Sequence, residues 1–230
     1  MKLAFIRTGA ADDYGDEFQC AMASEYERGT PWTRMRLENV RLLVDPQPRD
    51  RVLDIGTAAG GIAHYLSTLG CESVGVDLSA TGIARARERY PGLRFEVADA
   101  TALPFEDGSF DKAVAADVTE HLDDETLRAA LAECRRVLVP GGTLAIHTPN
   151  PRHAIELLKA KNLVLEQNPT HIGLRTGPEL RRELEQAGFA VELDLRRPGF
   201  YPGLRTLERV AGSRVELLGY RICMRGRSSS

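Results

Sequence analysis

The chain is poor in patterned cysteine, in aromatic residues and in long apolar runs. Its four cysteines, Cys20, Cys71, Cys134 and Cys223, are scattered and form no C-x-x-C pair. That spacing argues against a zinc ribbon or a disulfide framework, and for buried thiols in a reducing compartment. No stretch approaches the ~18 consecutive apolar residues of a membrane-spanning helix. The opening Met1-Lys2-Leu3-Ala4-Phe5-Ile6-Arg7 meets charge after too short an apolar run for a signal peptide. A cytoplasmic protein without a membrane partner is expected. Aromatics are 6% of residues, with one tryptophan. They are not interleaved with basic residues as in an RNA-binding module.

What is present fits a globular chain of 230 residues, 43% hydrophobic and 27% charged. The net charge of −3 is uneven, because residues 175–230 carry 11 Lys/Arg against 7 Asp/Glu. That basic end reads either as a solvated arginine-rich face or as a docking surface for an anion.

Apolar runs alternate with amphipathic stretches between residues 50 and 150. Strands are expected at Val52–Ile55, Ser73–Asp77, Leu93–Val97, Ala113–Ala116 and Gly142–His147, the last opened by Pro140-Gly141-Gly142. Helices are expected at Gly61–Leu69, Thr81–Arg89 and Leu127–Leu138. This alternation predicts an α/β fold, a doubly wound and mostly parallel sheet with ligands at the carboxyl ends of its strands. Residues 1–49 read as a helical cap, with a Gly29-Thr30-Pro31 break before a helix from Trp32 to Val44, and Pro46 to Asp50 form a stiff linker. After residue 150 an insertion over 151–176 precedes a helix at Pro178–Ala187 with a stop signal at Gly188. Strands near Phe189–Leu195 and Val215–Met224 follow, and Ser228-Ser229-Ser230 reads as disordered. A single domain is expected: cap 1–49, core 50–150, insertion 151–176 and the end of the sheet over 177–227.

The densest signal is Val52-Leu53-Asp54-Ile55-Gly56-Thr57-Ala58-Ala59-Gly60-Gly61, followed by Val74-Gly75-Val76-Asp77. A strand, a small-residue turn and a helix N-terminus let a ligand approach backbone N–H groups, and Asp77 can accept from ribose hydroxyls. A dinucleotide site would read G-x-G-x-x-G, whereas Gly56, Ala58 and Gly60 give G-x-A-x-G. Asp54 at the strand end would repel a pyrophosphate and suits a ligand with a cationic part. S-adenosylmethionine (SAM) carries an ammonium and a sulfonium and no phosphate.

The stretch resembles motif I of class I SAM-dependent methyltransferases, V-L-D-x-G-x-G-x-G, with Ala58 in place of the middle glycine. Further landmarks follow in order: Val97-Ala98-Asp99-Ala100, Phe110-Asp111-Lys112-Ala113-Val114, and Leu138-Val139-Pro140-Gly141-Gly142. The resemblance implies a seven-stranded Rossmann-like sheet with an antiparallel final strand. It also implies that SAM is held by Asp54, Gly56, Ala58, Gly60, Asp77, Leu78, Asp99, Ala100 and Asp117. Asp99 would accept from the adenine amino group, the Ala100 N–H would donate to a ring nitrogen, and carbonyls around Gly56 would hold the ammonium. The cap carries Tyr14, Tyr26 and Trp32, which either face the sulfonium as cation–π partners or pack the cap on the sheet.

Past the fourth expected strand lies Ala116-Asp117-Val118-Thr119-Glu120-His121-Leu122. This run is similar to those of ubiquinone-biosynthesis O-methyltransferases and small-RNA 2′-O-methyltransferases. In the RNA enzymes such groups bind a metal together with a later histidine that follows a T-P-N segment. Here Thr148-Pro149-Asn150 is followed by His171 and Thr176. Asp117, Glu120, His121 and His171 would suit Mn²⁺, Fe²⁺, Zn²⁺ or, less well, Mg²⁺. Two other readings stay open. His121 can be a metal-free general base oriented by Glu120, or both histidines can be structural. His147 and His153 have no patterned partner, and His64 reads as structural.

The resulting expectation is methyl transfer from SAM to an oxygen of a small-molecule acceptor. Nitrogen or carbon acceptors, RNA 2′-O-methylation and a non-catalytic SAM-binding protein stand as alternatives, because the motifs report the donor and not the acceptor.

Overall fold

The computed structural model describes residues 24–26, 28–160, 168, 170–199, 206, 208 and 216–229. Seven strands form one sheet: β1 (Arg51–Ile55), β2 (Glu72–Asp77), β3 (Arg94–Val97), β4 (Phe110–Ala116), β5 (Leu138–Pro149), β6 (Phe189–Arg197) and β7 (Arg221–Ser228). Their spatial order is β3-β2-β1-β4-β5-β7-β6. The pairs from β3 to β5 are parallel, and β7 runs antiparallel to both β5 and β6. The helices are α1 (Pro31–Val44), α2 (Gly61–Thr68), α3 (Ala80–Arg89), α4 (Asp124–Val137), α5 (Ala154–Ala160) and α6 (Gly177–Gln186).

Alternation along the strands divides the core between two faces. Leu53 and Ile55 of β1 point to one face with Leu144, Ile146, Leu127 and Leu131 of α4, and Leu180 and Leu184 of α6. Val52 points to the other, with Val40, Leu43 and Val44 of α1 and Ile62 and Leu66 of α2. On α4 the buried Leu127, Leu131, Cys134 and Val137 recur at helical spacing. Each leucine buried this way contributes about 2 kcal/mol. Local chemistry sets the helix starts: Thr30 Oγ1 accepts from Thr33 N (3.3 Å), and Pro31 opens α1. Asp123 Oδ1 accepts from Thr126 N (2.8 Å) at the start of α4. Cys71, Cys134 and Cys223 are buried free thiols; Cys20 and Tyr14 lie outside the described residues.

Three expectations are corrected. Pro140-Gly141-Gly142 does not precede the fifth strand but bulges inside it, since Phe110 pairs with Leu138 and Lys112 with Thr143. The last strand starts at Arg221 and not at Val215, because Asn150 grips the chain just before it. Its Nδ2 donates to Gly219 O (2.7 Å), and its N–H donates to Tyr220 O (3.1 Å). Ser228 belongs to β7, and Ser229 donates through both N and Oγ to Gly188 O (3.1 and 2.9 Å). Among the described residues no helix is long and apolar enough to cross a membrane.

Candidate active site

Three backbone positions with positive φ shape the turn after β1: Gly56 (70°), Ala58 (48°) and Gly60 (82°). A Cβ on Gly56 would lie 2.4 Å from Val118 Cγ2, so glycine there lets the turn pass directly under the segment that follows β4. Ala58 bears its positive φ because its N–H donates to Asp77 Oδ2 (2.8 Å). The other Asp77 oxygen accepts from Ser79 N (2.8 Å), and burial raises the pKa of this carboxyl. Asp54 is buried in β1, where Oδ2 accepts from Thr57 Oγ1 (2.6 Å) and Ala63 N (3.0 Å). Burial pushes its carboxyl up to about 6, against the hydrogen bonds from Thr57 and Ala63 that lower it.

At the adjoining strand ends, Leu78 and Val97 are 52% and 48% exposed although both are large and apolar. Val97 stands opposite Asp77 in the β2–β3 register. Asp99 is exposed beside them, its Oδ1 accepting from Thr101 N and Oγ1 (both 2.8 Å), and Ala100 is half-buried.

The segment after β4 builds a second centre. Asp117 takes φ 57°, and its N–H donates to His147 O (2.7 Å). Its carboxylate lies 2.8 Å from Arg36 Nε of α1 and 3.1 Å from Arg221 Nη1 of β7, with His147 Nδ1 at 3.5 Å. Burial alone would raise this carboxyl, but Arg221, His147 and Arg36 hold it well below the usual range. Arg36 also donates to Tyr26 Oη and to Ala116 O (2.6 Å), and its guanidinium stacks against the Trp32 and Tyr26 rings at 5.3 and 5.8 Å. Both aromatics thus already face a cation, that of Arg36.

A short 3₁₀ turn, Thr119–His121, presents Glu120 and His121. Glu120 is buried, and its Oε2 accepts from Thr148 Oγ1 (2.9 Å). Burial, followed by the negative charge of Asp117, pushes Glu120 up to about 8. His121 Nδ1 lies 3.1 Å from Thr170 O. A carbonyl only accepts, so that nitrogen carries the proton and Nε2 is the acceptor atom of the ring. Burial lowers His121, and burial together with His121 pushes His171 down to about 4. The two rings meet edge to face with centroids 5.0 Å apart. One ligand atom from each of Glu120, His121 and His171 lies within 4.8 Å of the other two. Of the four expected metal ligands the structure gathers these three. Asp117 stands outside that group, its charge compensated by two guanidiniums. His153 sits apart, with Nε2 3.0 Å from Glu208 Oε1, and His64 stacks on Tyr90.

A family model described as a methyltransferase domain matches residues 53–146. Over 222 residues the chain is 31% identical to an O-methyltransferase of Aspergillus sclerotiorum, covering 90% of this chain and 77% of that one. The chain belongs to the class I SAM-dependent methyltransferases. A second O-methyltransferase, from Aspergillus nomiae, is 32% identical over 81% of each chain. A protein of Mycolicibacterium smegmatis named as a SAM-dependent methyltransferase is 34% identical over 61% of this chain, which spans 52% of that relative's length. Among solved structures, a methyltransferase of Haloferax volcanii in complex with the Trm112 activator superposes with a TM-score of 0.71 at 18% identity, covering 98% of this chain and all of that one. That likeness speaks for the fold alone.

The methyltransferase's described residues fit SAM on their own evidence. The turn has no room for a side chain at Gly56 or Gly60, Asp77 keeps lone pairs beyond the two N–H groups it accepts from, and Leu78 and Val97 expose apolar surface beside it. Sequence reasoning missed Arg36, Arg221 and Arg175. Arg36 could have been found, because with Val40 and Leu43 it falls at i, i+4, i+7 on the buried stripe of α1. An arginine on an apolar stripe needs an internal partner.

Proposed function

We propose that this methyltransferase transfers the SAM methyl group to an oxygen of a small-molecule acceptor, with His121 taking the proton of the acceptor hydroxyl. The observation that carries this reading is the Thr170–His121 contact. It sets the tautomer, with Nδ1 protonated and Nε2 the acceptor atom of the ring, and one ligand atom each of Glu120 and His171 lies within 4.8 Å of a nitrogen of this ring. Similarity to the two Aspergillus O-methyltransferases supports oxygen as the acceptor atom.

SAM supplies an electrophilic methyl carbon on a sulfonium. The chain's own residues then do the rest. Asp77 would receive the ribose hydroxyls, Asp99 and Ala100 N–H the adenine edge, and Leu78 and Val97 its face. Carbonyls around Gly56 would receive the ammonium. Asp117 is held between Arg36 and Arg221, which leaves one net positive charge in the wall of the site and suits the methionine carboxylate. Insertion residues 151–176 and the N-terminal cap would shape the acceptor pocket and exclude water. Displacement at a methyl group asks mainly for alignment and for removal of the hydroxyl proton. His121 Nε2 accepts that proton, and the Thr170 carbonyl keeps the resulting imidazolium oriented.

A second reading rests on the same cluster. Two neutral imidazoles and a buried carboxyl that would have to give up its proton are a donor set for a divalent ion, and the buried His171 Nδ1 has no hydrogen-bond partner among the described residues. Bound there, such an ion would lower the pKa of the acceptor hydroxyl.

The deciding experiment is transfer of labelled methyl from SAM to a panel of phenols, catechols and vicinal diols, with and without chelator. His121→Gln should lower turnover by about 10²-fold or more while S-adenosylhomocysteine still binds. Undiminished turnover in that variant would remove His121 from the mechanism. Loss of turnover on chelation, restored by Mn²⁺ or Zn²⁺, would select the metal reading.

A further inference from the structure

The His121–His171 pair joins two chain segments 50 residues apart, and an arginine that neither motif contains stands between them. Arg175 is buried, yet its guanidinium finds four acceptors. Nη1 donates to Thr119 O (3.0 Å) and Gly173 O (2.7 Å), and Nη2 donates to Leu122 O (3.0 Å) and Asp124 Oδ1 (2.7 Å). Two of these are carbonyls flanking Glu120 and His121, and a third lies two residues after His171. The two segments touch through the backbone as well: Gly173 N donates to Glu120 O (2.9 Å). A Cβ on Gly173 would stand 1.9 Å from Leu122 O. No side chain fits there, so the segments approach as closely as two backbones can.

We propose that Arg175 is a positioning residue, whose planar fork clamps the Thr119–Leu122 turn to the 170–175 segment and thereby brings His171 against His121 and Glu120. The proposal deepens the reading of that cluster as the proton-handling centre and rests on it. Thr119 O accepts only a long 3.4 Å bond from Leu122 N within the 3₁₀ turn, Leu122 O lies beyond the turn's end, and a buried carbonyl without a good donor is costly. A guanidinium offers N–H groups in fixed directions to several carbonyls at once, whereas an ammonium is a point charge that cannot span two segments in the same way. Lysine is therefore no substitute at this position. The four acceptors of Arg175 belong to Thr119, Leu122, Asp124 and Gly173, and none belongs to the Gly56–Gly60 turn or to Asp77. Loss of the clamp should disorder the histidine pair and leave the cofactor side intact.

The test uses the full chain with histidine rings labelled for NMR and S-adenosylhomocysteine present. In the wild type a cross-relaxation peak is expected between the ring protons of His121 and His171. Arg175→Ala and Arg175→Lys should both lose that peak while retaining S-adenosylhomocysteine affinity by calorimetry. Added guanidinium ion at tens of millimolar should restore it in the alanine variant and not in the lysine variant. With an acceptor in hand, turnover should fall about 10²-fold in both, with KM for SAM unchanged. Persistence of the peak in Arg175→Ala would overturn the proposal. So would joint loss of the peak, cofactor affinity and cooperative unfolding in both variants without guanidinium rescue, because Arg175 would then support the fold at large. If the wild type proved inactive on every acceptor, the proposed reaction would fall, while the peak and its return with guanidinium would still decide the positioning claim.

Discussion

Glu120→Gln is the perturbation whose size follows most directly from the structure. The carboxyl is buried beside the negative charge of Asp117 and is pushed up to about 8. An unfolded glutamate titrates near ~4.3. Between those values folded Glu120 keeps its proton and the unfolded chain has released it. Unfolding therefore releases a proton, and stability falls as pH rises, by about 1.4 kcal/mol per pH unit. From pH 5 to pH 8 this one group should cost the wild type about 3–4 kcal/mol. Glutamine keeps the shape and the oxygen that accepts from Thr148 Oγ1, but it cannot ionise, so Glu120→Gln should lack that decline. Urea unfolding followed by far-ultraviolet circular dichroism, at unit steps of pH from 5 to 9, measures both slopes. The curves should lie close together at pH 5 and diverge in favour of the variant by pH 8. Parallel curves over the whole range would show that Glu120 is already ionised in the folded protein and would refute the electrostatic account of the site.

Arg36→Met should remove one of the two guanidiniums on Asp117 and leave a buried charge half-compensated. About 3 kcal/mol of stability should go with it, measured by the same denaturation, and a loss under 1 kcal/mol would show the ion pair to be dispensable. Ala58→Gly should relieve a left-handed backbone strain of about 1 kcal/mol, raising the melting temperature or tightening S-adenosylhomocysteine binding several-fold. A weaker complex together with a lower melting temperature would contradict it. Gly56→Ala should add strain at φ 70° and a clash with Val118, so calorimetry should find cofactor binding reduced at least about tenfold.

Much of the fold around the turn at Gly56 was legible because its chemistry is local. The strand, the small-residue turn and the acid at Asp77 lie within 26 residues of one another, and periodicity marks β1, α2, β2 and α3 with ends within a residue or two. The 3.6-residue stripe that identifies α4 needs no tertiary information either. Where long-range contacts decide, the sequence is silent. Arg36 meets Asp117 across 81 positions and Arg221 meets it across 104, and no spacing rule links such residues. The bulge in β5 depends on the register with β4, and the late start of β7 depends on Asn150 gripping the chain before Arg221. His121 and His171 could be paired in advance only through a family resemblance. The arginine that joins their segments sits in a stretch, His171 to Thr176, where composition carries no signal.

The most direct test of the account is isothermal calorimetry with S-adenosylhomocysteine on the wild type and on Asp77→Ala. Saturable binding at one site per chain, abolished or weakened at least about tenfold in the variant, is what the geometry at Gly56, Ala58 and Asp77 predicts. No binding by the wild type at millimolar ligand would contradict the central claim, however well the fold matches.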